Sequence, residues 1–337
     1  MMSYLDLADD QHIILSARYE DRELCKQIPD HAWNKQRNGW IYPLSSHHTQ
    51  KIRTLFPDAT SSPALIARLE ALEAQALQVA FLKSSKTAPF QQDGILKTTL
   101  RSFQTIGARF LITAEQAMLS DELGIGKTLQ VLAASLELKG NGQAKKCLII
   151  CPNTVKRPTW QAQITEHTHE QSILIEGDRS RRFQLLNRWI SDPTIFFCII
   201  NYESLRNRET LEKIGAVADI IAADESVYLK NPLAKQTKAV KLIPSRYRFA
   251  ISGFPISNRI EDIWSQFDWL RPGYLGTYWQ FADRYLIQEK HQLPDGRGYK
   301  TLLGYKHLDE LKQRLEPWFL RRLKSQVLEL PPKIYHT

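Results

Sequence analysis

The chain has 337 residues, 43% of them hydrophobic and 24% charged, which is the make-up of an ordinary globular protein long enough for two domains or one large domain with an appendage. No apolar run is long enough to span a bilayer, and the acidic start MMSYLDLADDQ has no signal-type apolar core, so an intracellular, cytoplasmic protein with no membrane partner is expected. The net charge of +9 suggests a polyanionic partner, a weak indication until specific motifs agree with it.

Residues 1–60 alternate short strand-like and helix-like pieces. HIILSA (12–17) reads as a strand and YEDRELCKQI (19–28) as a short helix. HAWNKQRNGWIYPL (31–44) looks like a hairpin turning at Arg37-Asn38-Gly39. Ser45 and Ser46 are placed to cap a helix through Leu55, and His47-His48 at its start reads as surface. Ser62-Pro63 then opens an Ala/Leu/Glu-rich run to Lys83, a connecting helix, followed by the linker KSSKTAP (83–89). The expected organisation is therefore a small α+β domain over 1–60, a connection over 61–95, and a large domain over 96–337.

From Leu96 the pattern becomes helix–strand alternation, with apolar runs at 117–122, 146–152, 171–177, 194–201, 217–225 and 246–253. Strands apolar on both faces and joined by helices imply an α/β fold, a parallel sheet covered by helices on both faces. Ligands of such sheets collect beyond the carboxyl ends of the strands. Of the four cysteines, Cys147 and Cys151 bracket the run CLIIC with no turn between them, so buried thiols in a reducing compartment are expected.

Directly after the first of these strands comes Leu123-Gly124-Ile125-Gly126-Lys127-Thr128. Gly124 and Gly126 would let backbone N–H groups curl around phosphate oxygens at a helix N-terminus. Lys127 would reach the β- and γ-phosphates, and the Thr128 hydroxyl would bind magnesium. The strict phosphate-loop pattern wants glycine at 121, where this chain has Asp121. Further on, the buried strand DIIAADE ends in Asp224-Glu225. Two carboxylates there need a reason, and a magnesium ion supplies one: Asp224 would hold the ion through water and Glu225 would orient or deprotonate the attacking water.

Together these residues resemble the Swi/Snf-related branch of the superfamily 2 helicase-like ATPases, whose phosphate loop typically reads DEMGLGKT with the same Asp in place of the first glycine. DELGIGKTLQ (121–130) looks like that motif, and LRSFQ (100–104) like the adenine-reading segment, with Gln104 as its candidate. CLIICPNTVKRPTWQAQI (147–164) is similar to motif Ia, IINYESL (199–205) to motif Ib, DESVYLKNP (224–232) to motif II, the stretch from Ile251 to motif III, and FLRRLKSQVLELPPK (319–333) to the exit segment of the first motor lobe. The resemblance implies a RecA-like lobe, ATP and magnesium as cofactors, and DNA, duplex or branched, as partner. Lys156, Arg157, Lys230, Asn231, Lys235 and Lys238 flank these motifs as candidate DNA contacts. Arg321, Arg322 and Lys324 serve either to brace the lobes or to meet DNA. IPDHAWNKQRNGWIYPL (28–44) also looks like the HARP (HepA-related protein) domain, in which Trp33 and Trp40 are either core residues or stacking contacts for DNA.

The chain departs from the family at Val227, where His or Gln is usual, and at Phe254, where Thr is usual; the two are expected to pack as a compensating apolar pair. Nothing resembles the motifs of a second lobe, whose arginines complete the ATP site, so turnover is expected to need a second lobe, supplied by another polypeptide or missing because the sequence is cut. Two functions follow: the ATP-binding lobe of a DNA-dependent ATPase that translocates on, remodels or anneals DNA, or a nucleotide- and DNA-binding adaptor without significant hydrolysis.

Overall fold

The computed structural model describes residues 3–9, 12–90, 94–256, 259–292 and 298–327, the side chains of 46, 47 and 290 excepted. Residues 257–258 of the stretch that begins at Ile251, and 328–333 of the exit segment, lie outside the described residues. The chain divides into two units, Met1–Leu77 with Arg271–Glu316, and Gln78–Leu270 with Pro317–Thr337. This differs from the expected breaks near residues 60 and 95: the boundary falls inside a helix, and a segment from late in the chain joins the first unit.

In the first unit, β1 (Tyr4–Asp9), β2 (His12–Ser16), β3 (Ala32–Asn34), β4 (Gly39–Pro43) and β5 (Thr60–Ser61) pair in the order β3-β4-β2-β1-β5. The β3–β4 hairpin turns where expected: Asn38 takes a left-handed φ of 48°, and Asn34 Oδ1 accepts from the Arg37 N–H at 2.9 Å. Gly39 is needed for close approach, since a Cβ there would lie 2.7 Å from Ile14 Cγ1 on β2. Helices α1 (Arg22–Gln27) and α2 (Ser46–Leu55), with the first turns of α3 (Pro63–Ser84), cover a core of Leu5, Ile13, Leu15, Cys25, Tyr42, Ile52 and Leu65. The Ser45 hydroxyl caps α2 by accepting from the His48 N–H, and Ser62 Oγ accepts from the Leu65 N–H at the start of α3. Of the two tryptophans, Trp40 packs on this core, while Trp33, edge-on to Trp40 at 5.3 Å, is 50% exposed.

In the second unit, α4 (Ser102–Ala114) leads into β6 (Gln116–Leu119), and α5 (Lys127–Gly140) leads into β7 (Cys147–Cys151). β8 (Gln171–Leu174), β9 (Ile195–Asn201), β10 (Ile220–Asp224) and β11 (Tyr247–Ile251) follow. The segment Arg271–Glu316 then carries the antiparallel hairpin of β12 (Leu286–Gln292) and β13 (Gly298–Tyr305), after which β14 (Phe319–Leu320) adds to the edge of the large sheet. That sheet has the order β14-β6-β11-β10-β7-β9-β8 with every pair parallel. All of β7 is buried, and β9 and β10 are buried up to their last residues, Asn201 and Asp224. Helices that cover both faces exclude water from the strands and leave it access only at their ends. Cys147, Cys151 and Cys198 are buried here, and burial pushes the Cys147 thiol up to about 12, far from a reactive thiolate.

His48 corrects the surface reading: it is 1% exposed. Its Nε2 lies 3.1 Å from Asp30 Oδ2 and its Nδ1 2.7 Å from Ser45 Oγ, and Arg314 from the late segment lies 3.4 Å from the same Asp30 oxygen. Because the guanidinium already balances the carboxylate, a neutral imidazole that donates from Nε2 and accepts at Nδ1 satisfies every group. Burial pushes the His48 pKa down, while the His48 hydrogen bond and the Arg314 charge hold Asp30 below its usual range against the upward push of burial. The unfolded chain therefore takes up a proton on His48 near 6.5, whereas the folded one does not. Stability from the neutral imidazole is fully present above that value and is lost progressively as pH falls from it to the lower folded-state pKa. Thermal melts should show this acid loss in the wild type and a shallower one in His48→Gln; identical pH profiles would remove His48 as the cause.

Candidate functional site

The loop between β6 and α5 folds as its glycines require. Gly124 and Gly126 have φ of 82° and 83°, and Gly126 is the N-cap of α5. The loop therefore presents backbone N–H groups at the start of a helix, an arrangement that favours an anion. Thr128 sits half-buried in the first turn. Lys127 folds back on the loop, its Nζ donating to the carbonyls of Asp121 at 2.8 Å and Glu122 at 3.3 Å. Burial lowers its pKa, against the pull of the Asp121, Glu225 and Asp224 carboxylates. Gln104 lies on the same loop: its Nε2 donates to the Ile125 carbonyl at 3.3 Å, and its Oε1 accepts from the Arg101 N–H at 2.9 Å to cap α4.

Asp224 and Glu225 stand two strands away, at the end of β10. Asp224 Oδ2 accepts from the Trp160 indole N–H at 2.8 Å, Oδ1 accepts from the Glu225 N–H at 2.9 Å, and the Tyr202 hydroxyl donates to the Asp224 carbonyl at 2.7 Å. Glu225 takes a left-handed φ of 47°, which turns the chain sharply as the strand ends. Between the two motifs lies the end of β11: Ser252 Oγ reaches Glu225 Oε2 at 3.5 Å, and a Cβ on Gly253 would lie 3.7 Å from Lys127 Nζ. Lys127, Asp224, Glu225 and Ser252 are thus gathered at one edge of three adjacent strands. Burial raises both carboxylates above their usual range, and for Glu225 the charge of Asp224 adds to it. The oxygen-only donors, the Thr128 hydroxyl and the Asp224 carboxylate, fit magnesium, which takes one or two protein oxygens and keeps several waters.

Trp160 and Tyr202 are the functional neighbours that sequence reading missed. Both lie inside segments singled out for other reasons, and both are fully buried polar aromatics. An indole or phenol so placed needs a hydrogen-bond partner, which was the available signal.

The loops after β7, β8, β9 and β10 converge on a polar cleft of about 640 Å³, lined among others by Asn153, Thr154, Lys156, Arg182, Asn201 and Tyr228. Of the basic candidates, Lys156 departs from a solvated phosphate contact: it is 6% exposed, with Nζ donating to the Ile175 carbonyl at 3.2 Å. Arg157 is exposed and paired with Glu176. Lys230, Asn231, Lys235 and Lys238 are exposed on the loop and helix that follow β10. The Val227–Phe254 pair is not a buried apolar contact, since Phe254 keeps 62% of its surface exposed. Arg322 turns inward and pairs with Asp121 inside this lobe.

The chain matches the model of the SNF2-related domain over residues 75–337. It is 30% identical to the TATA-binding protein-associated factor MOT1 of Saccharomyces cerevisiae over 74% of this chain and 14% of that protein. To the ATP-dependent helicase fft1 of Schizosaccharomyces pombe it is 28% identical over 71% of this chain and 26% of that protein. Among solved structures it is similar to the Sulfolobus solfataricus SWI2/SNF2 ATPase core in complex with dsDNA, with a TM-score of 0.56 and 28% identity over 71% of this chain and 47% of that one. The chain therefore spans about a quarter or less of these curated relatives.

The contact between Trp160 and Asp224 is open to a direct test. Trp160→Phe keeps most of the apolar volume but strips Asp224 Oδ2 of its donor. A loss of about 1–3 kcal/mol in urea unfolding is expected; an unchanged midpoint would show that water replaces the indole at no cost.

Proposed function

We infer from the family to which the chain belongs, the SNF2-related domain family, that this is the ATP-binding lobe of a DNA-dependent motor that translocates on, remodels or anneals DNA. The observation that carries the reading is the convergence of Lys127, Asp224, Glu225 and Ser252 on one edge of the sheet, beside a loop whose two left-handed glycines form an anion nest.

In this reading the Lys127 ammonium leaves the carbonyls of Asp121 and Glu122 for the β- and γ-phosphates, and Gln104 turns its amide to the adenine edge. Thr128 and, through water, Asp224 would hold magnesium, which when bound would supply charge neutralisation to the phosphates. The Trp160 and Glu225 N–H groups fix the Asp224 carboxylate, so it needs no reorganisation to serve this role. Glu225 orients the attacking water and accepts its proton; the raised pKa suits a base that must take up a proton and release it again. Ser252, touching Glu225 on one side and followed by Gly253 beside Lys127, joins the water side of the site to the phosphate side. DNA would lie along the cleft after β7 and β9, with Arg157, Lys230, Asn231 and Lys235 as backbone contacts; the dsDNA named for the Sulfolobus solfataricus structure supports this partner.

Hydrolysis then depends on arginines from an opposing lobe, worth about 10³–10⁵-fold in rate. A second reading, a nucleotide- and DNA-binding adaptor, is favoured by Val227 and the exposed Phe254, which leave the usual polar path between the phosphate side and motif III without its His or Gln and its Thr.

DNA-stimulated phosphate release, measured with and without an added second lobe, separates the two. The motor reading expects stimulation that Lys127→Ala abolishes, and absence of stimulation under both conditions leaves the adaptor. DNA affinity should fall steeply with salt as backbone contacts release counterions, and Lys230→Ala should flatten that slope by about one unit. A salt-independent affinity would remove DNA as the partner.

A further inference from the structure

Asp121 stands where the strict phosphate-loop pattern has glycine, and it is fully buried. Its Oδ1 accepts from the backbone N–H and the Nε of Arg322, both at 3.0 Å. Its Oδ2 accepts from Arg322 Nη2 and, at 3.2 Å, from Gln130 Nε2 on α5. Arg322 Nη2 donates again to Gln130 Oε1 at 2.8 Å, and Nη1 donates to the Phe103 carbonyl on α4. This cluster closes over Gly107, where a Cβ would lie 1.7 Å from Gln130 Oε1 and 2.9 Å from Arg322 Nη2. The same segment follows the loop residue by residue. The Ser120 N–H donates to the Leu320 carbonyl at 2.7 Å, the Glu122 N–H to the Arg322 carbonyl at 2.9 Å, and the Lys324 N–H to Glu122 Oε2 at 2.7 Å. Arg321 meanwhile donates to the Gly253 carbonyl at 3.1 Å.

The geometry points to Arg322 as a positioning residue of the nucleotide site, one that sets the phosphate loop through Asp121 and ties the loop to the chain segment that follows β14. This rests on the nucleotide reading above. Arg322 does not belong to the loop, yet the carbonyls that hold Lys127 belong to Asp121 and Glu122, and both residues are bonded to Arg322. Releasing the guanidinium frees the backbone from which the lysine is aimed. The reverse also holds: a nucleotide that draws Lys127 off those carbonyls changes the Asp121–Glu122 backbone to which Arg322 is attached. A lysine cannot substitute, because the carboxylate and Gln130 are met by a planar fork.

The test uses the full chain and reads hydrogen–deuterium exchange of the amides from Glu122 to Lys127, together with affinity for a fluorescent magnesium–ATP analogue. Arg322→Gln and, separately, Gly107→Ala are expected to speed exchange at these amides by roughly tenfold or more and to weaken the analogue by a similar factor, the scale of one hydrogen bond to a charged group. Both effects should appear at temperatures where the helical circular dichroism matches the wild type. Asp121→Asn added to Arg322→Gln should recover part of the loss, because it removes the buried charge left unpaired. Wild-type exchange and affinity in Arg322→Gln, or losses that merely multiply in the double variant, overturn the proposal. A wild type that binds the analogue no better than Lys127→Ala would instead sink the nucleotide reading, and unaltered or accelerated exchange in Arg322→Gln would still decide the positioning role.

Discussion

A carboxylate with no access to water must be matched by donors or it destabilises the fold, and Asp121 is matched by both Arg322 and Gln130. Its partners come from the segment that follows β14 and from α5, and Arg322 carries the cluster on to the Phe103 carbonyl of α4. Elements far apart in sequence are therefore held around the phosphate loop by one buried charge. Glycine at that position would provide backbone freedom and no such attachment. The Gly124 and Gly126 conformations supply the freedom a phosphate needs, while Asp121 supplies the anchor from which the loop departs.

The sheet order does the rest of the assembly. Because β6, β11 and β10 are neighbours and all run parallel, the residues that follow them arrive side by side: the phosphate loop, Ser252-Gly253, and Asp224-Glu225. The crossings that take the chain from β6 out to β7 and back to β10 place the second group of loops further along the same edge, where they form the polar cleft. The Lys127 and Asp224-Glu225 cluster and the polar cleft thus lie on one edge of one sheet. Trp160 and Tyr202, contributed by the cleft side, bond directly to Asp224 on the nucleotide side.

The first unit shows the same economy on a smaller core. Its hairpin, caps and alternating strands follow local rules, yet Asp30 and His48 are made safe to bury by Arg314, which arrives from the far end of the chain. The late segment is thus part of that unit's interior chemistry.

Much was legible in the sequence because the rules involved are local. Strands apolar on both faces announced the parallel sheet, Asn38-Gly39 the hairpin, Ser45 and Ser62 the helix starts, and the Gly-Lys-Thr run a glycine loop at a helix N-terminus. Each of these depends on residues within a few positions of one another. What only the tertiary structure decided is where buried charges and polar groups find their partners. That Lys156 is buried on a backbone carbonyl, that His48 is interior, that Phe254 is exposed, that Trp160 holds Asp224 and that Arg322 holds Asp121 all depend on pairs set by strand order and helix packing. Sequence spacing carries no record of such pairs, because a hydrogen bond is decided by distance in space and the fold alone sets that distance.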